Sequence, residues 1–331
     1  MDIKEERKEL NVFCIVAFGV HYITSIFMVI RYYHGAEDPV IGALMYLPAA
    51  GVILSAFIIK KYLSKPYKFF SLYWLISILV ILFVELSAVF PDFNLRQSIN
   101  ILNTVGGPLL LLLIMLEKQE ILKIWGLNYN RNKCSHPAKY IIYFSILLLI
   151  RDLLVAFMAG DLYDFGIYII STEYLFSILS FPIFMIFGYA NFFGEEYGWR
   201  YYLQTFLQKK YGPRKGIIIL GLCWCIWHLP FCFLTDNPRF ILIKITEYLI
   251  TCMTMSIYFG YVYMRTKNIW IIILLHMINN AFSLNYITEE NYHLFQTWKG
   301  LIIVLIANFI VFIPAIFSKT FNTIEVEKES K

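Results

Sequence analysis

Long apolar runs restrict this chain more than any other feature. They fall at about 11–30, 40–59, 69–90, 98–116, 140–159, 180–206, 216–235, 240–264, 268–286 and 300–318. Each holds roughly 20 residues, enough to cross a ~30 Å hydrocarbon layer as a helix. Lipid offers no partner to a backbone N–H or C=O, so helices are expected throughout. Of 331 residues, 59% are hydrophobic and 15% charged, against roughly 45–50% and 25% in soluble domains. The chain therefore reads as an all-α, polytopic transmembrane helix bundle in the cell membrane, and not as two soluble domains.

Positive charge alternates between the links. Lys4, Arg7 and Lys8 precede the first run, and Lys60, Lys61, Lys65 and Lys68 follow the second. Lys118, Lys123, Arg131, Lys133 and Lys139 follow the fourth; Lys209, Lys210, Arg214 and Lys215 follow the sixth. The intervening links are poor in bases or acidic, as with Asp161 and Asp164, or Glu289 and Glu290. The positive-inside rule then predicts both termini cytoplasmic, with eight to ten spans. The net charge of +5 sits in these short clusters, which speaks for topology and against nucleic acid. The apolar run after Met1–Lys8 lacks a small-residue cleavage site and is expected to be a first span. Residues 165–208 are too long for one crossing; a kink at Pro182 is expected, or a first part lying in the interface or under the bundle. Five of the six cysteines lie in apolar runs, and Cys223 and Cys225 form C-x-C, which is no zinc or thioredoxin motif. The polar loop 118–139 divides the chain into 1–139, N-terminal helices with that loop, and 140–331, a C-terminal bundle.

Against this background, Glu195, Glu196 and Arg200 stand out within one apolar run. Such charges cost roughly 2.5–3.5 kcal/mol each at mid-bilayer, so they mark a functional site. Counting from the basic ends, Glu195 lies about 21 Å from Lys209, and His228 about 20 Å from Lys215. His276 and Asn280 lie about 14 and 20 Å from Lys267. Three helices thus bring these groups to similar depth. Glu196 and Arg200 are spaced i,i+4 and can pair, leaving Glu195 about 100° away and free. His276 and Asn280 share the same spacing, so both can face one spot. Gly194 and Gly198 would let a neighbouring helix approach closely. A carboxylate in a partly dehydrated pocket can act as general base on water, and imidazole and carboxamide groups can stabilise an oxyanion. No Ser or Cys nucleophile stands out. The set points to amide hydrolysis by water attack.

Glu195-Glu196-x-x-x-Arg200, an aromatic-x-x-x-His ending at His228, and His276-x-x-x-Asn280, in that order on successive helices, resemble the CPBP family. That family comprises CAAX-processing proteases and bacteriocin-processing or immunity proteins, also called the Abi family. The resemblance covers about 185–285. It departs at Trp224, where the family more often has Phe. It implies an intramembrane glutamic endopeptidase acting on a peptide or membrane-protein substrate. Glu195 would activate water with help from His228, His276 and Asn280 would hold the oxyanion, and Glu196 and Arg200 would orient the site.

Each element also has a plainer reading. Glu196–Arg200 alone is more often a structural pair, and a lone intramembrane His more often a satisfied interhelical hydrogen bond. A His₂Glu zinc site from His228, His276 and one Glu is conceivable, without a His-Glu-x-x-His helix to support it; no cofactor is expected. A non-catalytic immunity or regulatory factor and a proton-coupled transporter are the competing functions. Glu85 and Arg151 lie mid-run and can either pair or serve separately. Lys244 and Glu247 read as a local pair.

Overall fold

The computed structural model describes residues 3–35, 40–59, 66–90, 92–128, 138–234, 237–284, 286–287 and 293–322. Lys60, Lys61, Lys65, Arg131, Lys133, Cys134, Glu289 and Glu290 lie outside the described residues. Among the described residues there is no β-strand. Among the described residues, nine helices are long and apolar enough to span a membrane: α1 (Lys4–Tyr33), α2 (Ile41–Ile58), α3 (Tyr67–Val89), α4 (Leu95–Met115), α5 (Ala138–Ala159), α6 (Thr172–Tyr211), α7 (Pro213–Phe233), α8 (Pro238–Thr266) and, after a shorter helix, α10 (Trp298–Phe317). That shorter helix is α9 (Ile269–Phe282), 14 residues long. Every apolar run of the sequence has its helix, and the chain is a multi-pass membrane protein.

Local chemistry sets the ends. The Tyr174 N–H donates to Ser171 Oγ (3.1 Å) and opens α6. The Trp270 N–H donates to Asn268 Oδ1 (2.9 Å) and opens α9. These side chains satisfy amide donors that a helix start leaves free. Gly212, at φ 83°, separates α6 from α7, a backbone region where a Cβ is unfavourable. Pro213 then sits at the first position of α7, where its missing N–H costs nothing.

The long segment is divided into two helices ahead of Pro182. A short helix, Leu162–Ile169, ends just before Ser171, and α6 then runs unbroken for 40 residues through Pro182. The serine cap, not the proline, makes the division. At 1.5 Å per residue α6 is about 60 Å long. Leu175, Phe176, Leu179 and Ile183 on its first half are exposed, while Tyr189 to Arg200 is almost wholly buried. The second half passes into a π-helix over Tyr197–Gln204, a form often found at functional sites. Lys209 at the end of α6 pairs with Glu6 at the start of α1 (3.1 Å), so these two ends lie on the same side of the bundle.

The small residues of α6 do what their spacing predicts. A Cβ at Gly194 would run into the Met45 carbonyl, and one at Gly198 into Pro48. The close neighbour is thus α2, from the part of the chain far from the polar motifs. Residues after α4 pack under the same region: Tyr197 Oη donates to the Trp125 carbonyl (3.0 Å) and Trp270 Nε1 to the Leu127 carbonyl (2.8 Å). One hydrophobic core runs through both segments of the chain.

Candidate active site

Burial of Glu195, Glu196 and Arg200 is nearly complete, at 1%, 0% and 0% exposure. Charges so placed must be paired, and the pairing follows from helical phase. Glu196 Oε2 accepts from Arg200 Nε at 2.8 Å, one turn on. The Arg200 guanidinium lies over the rings of Trp224 (4.8 Å) and Phe259 (5.6 Å), and Nη1 reaches Ser256 Oγ at 3.4 Å. The second oxygen, Glu196 Oε1, meets His276 Nδ1 at 2.8 Å. The Glu196–Arg200 pair therefore orients His276 directly. What orients Glu195 is Trp224, whose indole Nε1–H donates to Glu195 Oε2 at 2.8 Å. A phenylalanine there would have no such donor.

His228 is fixed by its own helix. Its Nδ1 lies 2.9 Å from the Trp224 carbonyl. A carbonyl only accepts, so Nδ1 carries the proton, and Nε2 is the acceptor of the neutral ring. Its ring stacks on Tyr248 (4.7 Å) and meets Trp227 edge-on (4.8 Å). His276 packs edge-on against Phe192 and Trp224. Asn279 Nδ2 donates to Asn280 Oδ1 (3.1 Å), which leaves the Asn280 amide nitrogen as a donor.

A cavity of about 260 Å³ gathers these groups: Glu195, Trp224, His228, His276 and Asn280 all line it. The helices α6, α7 and α9 thus bring these side chains to one cavity. Glu196 and Arg200 stand behind the wall. Sequence reasoning missed Tyr248 and Cys252 of α8, and Ile41, Gly42 and Met45 of α2, which line the same cavity. For α2 the only signal was the Gly194/Gly198 spacing, which announces a neighbour without naming it. Among the described residues, no group of three or more His, Cys, Asp or Glu is arranged to hold a metal ion.

Other polar residues find different partners. Arg151 does not turn to Glu85: its Nε pairs with Asp152 Oδ1 (2.6 Å) and its Nη2 with Ser283 Oγ (2.5 Å). Asp152 Oδ2 accepts from the Leu284 N–H (3.1 Å). This buried cluster clamps the chain just beyond Asn280. Lys244 Nζ donates to the Leu234 carbonyl (2.9 Å). His21 stacks on Trp227 (4.2 Å), with Nε2 at 2.8 Å from the Trp227 carbonyl.

Residues 165–282 match the family "Type II CAAX prenyl endopeptidase Rce1-like". CAAX prenyl protease 2 of Methanococcus maripaludis is 37% identical over 46 residues, 14% of this chain and 17% of that protein. The alignment thus spans about a sixth of that relative's length. No solved structure matches. The matched stretch contains all three motifs, and over it the chain is similar to the CAAX prenyl endopeptidases.

Proposed function

We propose that the protein is an intramembrane endopeptidase that hydrolyses a peptide bond with water activated by Glu195. The observation that carries this reading is the carboxylate of Glu195, held at one oxygen by Trp224 in a cavity shared with His228, His276 and Asn280. The other oxygen is left for water. In the reaction the carboxylate takes a proton from water as the water oxygen bonds to the carbonyl carbon. The resulting oxyanion accepts from Asn280 Nδ2–H and from Nε2–H of a protonated His276. The C–N bond then breaks, and Glu195 returns the proton to the leaving nitrogen. His228 assists by accepting a hydrogen bond from the water at Nε2.

In this mechanism His276 carries both ring protons, Nδ1–H on Glu196 Oε1 and Nε2–H toward the oxyanion. Glu195 and Glu196 as anions, with Arg200 and His276 as cations, sum to zero in a site where an unpaired charge costs several kcal/mol. Glu196 bonded to both cations completes the balance. None of these steps calls for a metal.

The substrate reading is a protein or peptide held at the membrane, prenylated near its C-terminus. Its support is the match to the CAAX prenyl endopeptidase family over 165–282 and the likeness to CAAX prenyl protease 2 of Methanococcus maripaludis. The test is cleavage of a farnesylated, fluorescence-quenched peptide by protein in liposomes, with and without EDTA. Wild type should cleave equally in both, and Glu195→Gln should lose about 10²–10⁴-fold while retaining its thermal transition. Undiminished cleavage by Glu195→Gln would refute the mechanism. Cleavage abolished by EDTA and restored by zinc would replace water activation by the carboxylate with a metal mechanism.

A further inference from the structure

We propose that the turn at the start of α2, Ile41–Tyr46, is the wall of the cleft that selects the substrate, receiving an apolar side chain next to the bond to be cleaved. The proposal rests on the protease reading above and adds to it a specificity element. Ile41, Gly42 and Met45 line the same cavity as Glu195. None of the three lies within residues 165–282, the stretch that matches the family. The wall comes from elsewhere in the chain, so proteins alike in their motifs can differ in it.

The wall is firmly mounted. Gly194, one residue before Glu195, has no room for a Cβ because the Met45 carbonyl and Tyr73 Oη lie against it. Asn191 Nδ2 donates to the Gly42 carbonyl (3.1 Å). Tyr73 Oη donates to the Ala190 carbonyl (3.2 Å), and Tyr46 Oη to Asn103 Oδ1 (2.8 Å). The turn and the helix bearing Glu195 are therefore one rigid piece, as a site that discriminates by shape requires.

Its chemistry fixes the class of group it takes. Ile41 and Met45 offer aliphatic surface, and methionine adapts to irregular apolar shapes. Phe259 and Met255 of α8 add further apolar surface to the same cavity. Gly42 sets the depth. A Cβ there would meet Met45 Sδ at 3.7 Å and Asn191 Nδ2 at 3.8 Å, which is ordinary contact. The fold thus tolerates a side chain at 42, and that side chain would occupy cavity space. The space left by Gly42 is what a larger substrate side chain enters.

The test uses two pools of farnesylated peptides of equal length. One carries Leu and Phe at the variable positions, the other Ala and Ser. Wild type should favour the first pool. Gly42→Leu should lower the large-to-small turnover ratio tenfold or more, the scale on which apolar pockets discriminate, and Gly42→Ala should lower it less. An unchanged ratio, or equal loss on both pools, overturns the proposal. A second measurement does not need turnover. In a cysteine-free Glu195→Gln protein, Gly42→Cys is labelled with maleimide in the presence of each pool. The Leu/Phe pool should slow labelling at least fivefold more than the Ala/Ser pool. Equal labelling overturns the wall proposal. Selective protection without any cleavage by wild type supports the wall and refutes the protease reading alone.

Discussion

Replacing Trp224 by phenylalanine isolates a single interaction. The ring stays beneath the Arg200 guanidinium, which lies 4.8 Å from the present indole. What goes is the Nε1–H that donates to Glu195 Oε2 at 2.8 Å. A hydrogen bond to a charged group contributes about 1.5–3 kcal/mol. If that bond holds Glu195 in its working rotamer, its loss lowers kcat about 10- to 150-fold, with KM little changed. Trp224→Ala should be worse, since it also removes a cation–π contact of about 0.5–2 kcal/mol. The assay is steady-state cleavage of the quenched peptide in liposomes, with thermal unfolding measured alongside. If Trp224→Phe stays within threefold of wild type in kcat, the indole does not aim the carboxylate and the reasoning fails.

Two further outcomes concern stability. Gly194→Ala forces a methyl against the Met45 carbonyl and should cost about 1–3 kcal/mol or more, seen as a lowered unfolding temperature; Gly42→Ala, whose Cβ makes only ordinary contacts at 3.7 and 3.8 Å, should cost far less. Asp152→Ala strands the buried Arg151 guanidinium and should cost about 3–5 kcal/mol. Asp152→Asn should recover part of it, because its amide oxygen still accepts from the Leu284 N–H.

The site was legible where it follows from regular geometry. Helix rise is constant, so distances to the basic ends gave a reason to expect Glu195, His228 and Asn280 near one another, and they line one cavity. The i,i+4 spacing foretold Glu196 with Arg200, and the match in 165–282 agrees with the family read from the motifs. What escaped was everything set by tertiary packing. The bond from Trp224 to Glu195 joins residues of different helices, and an aromatic position carries no sign of which polar atom its edge will meet. The Ile41–Tyr46 turn lies about 150 residues from Glu195 in sequence and bears no charge. Arg151 and Asp152 escaped for the opposite reason. Neighbours in a helix point about 100° apart, and only the length of the arginine brings the two groups together.

Glu196 shares its carboxylate between Arg200 and His276; with Glu195 ionised and His276 protonated, as in the proposed mechanism, the four groups carry no net charge. A transmembrane voltage therefore has nothing there to push on. One elementary charge crossing the membrane is worth about 2.3 kcal/mol per 100 mV, but a proton that stays among these four groups crosses almost none of the field. Hydrolysis at such a site proceeds alike in energised and collapsed membranes, whereas a transporter built from the same acids and histidines would feel the potential on every cycle.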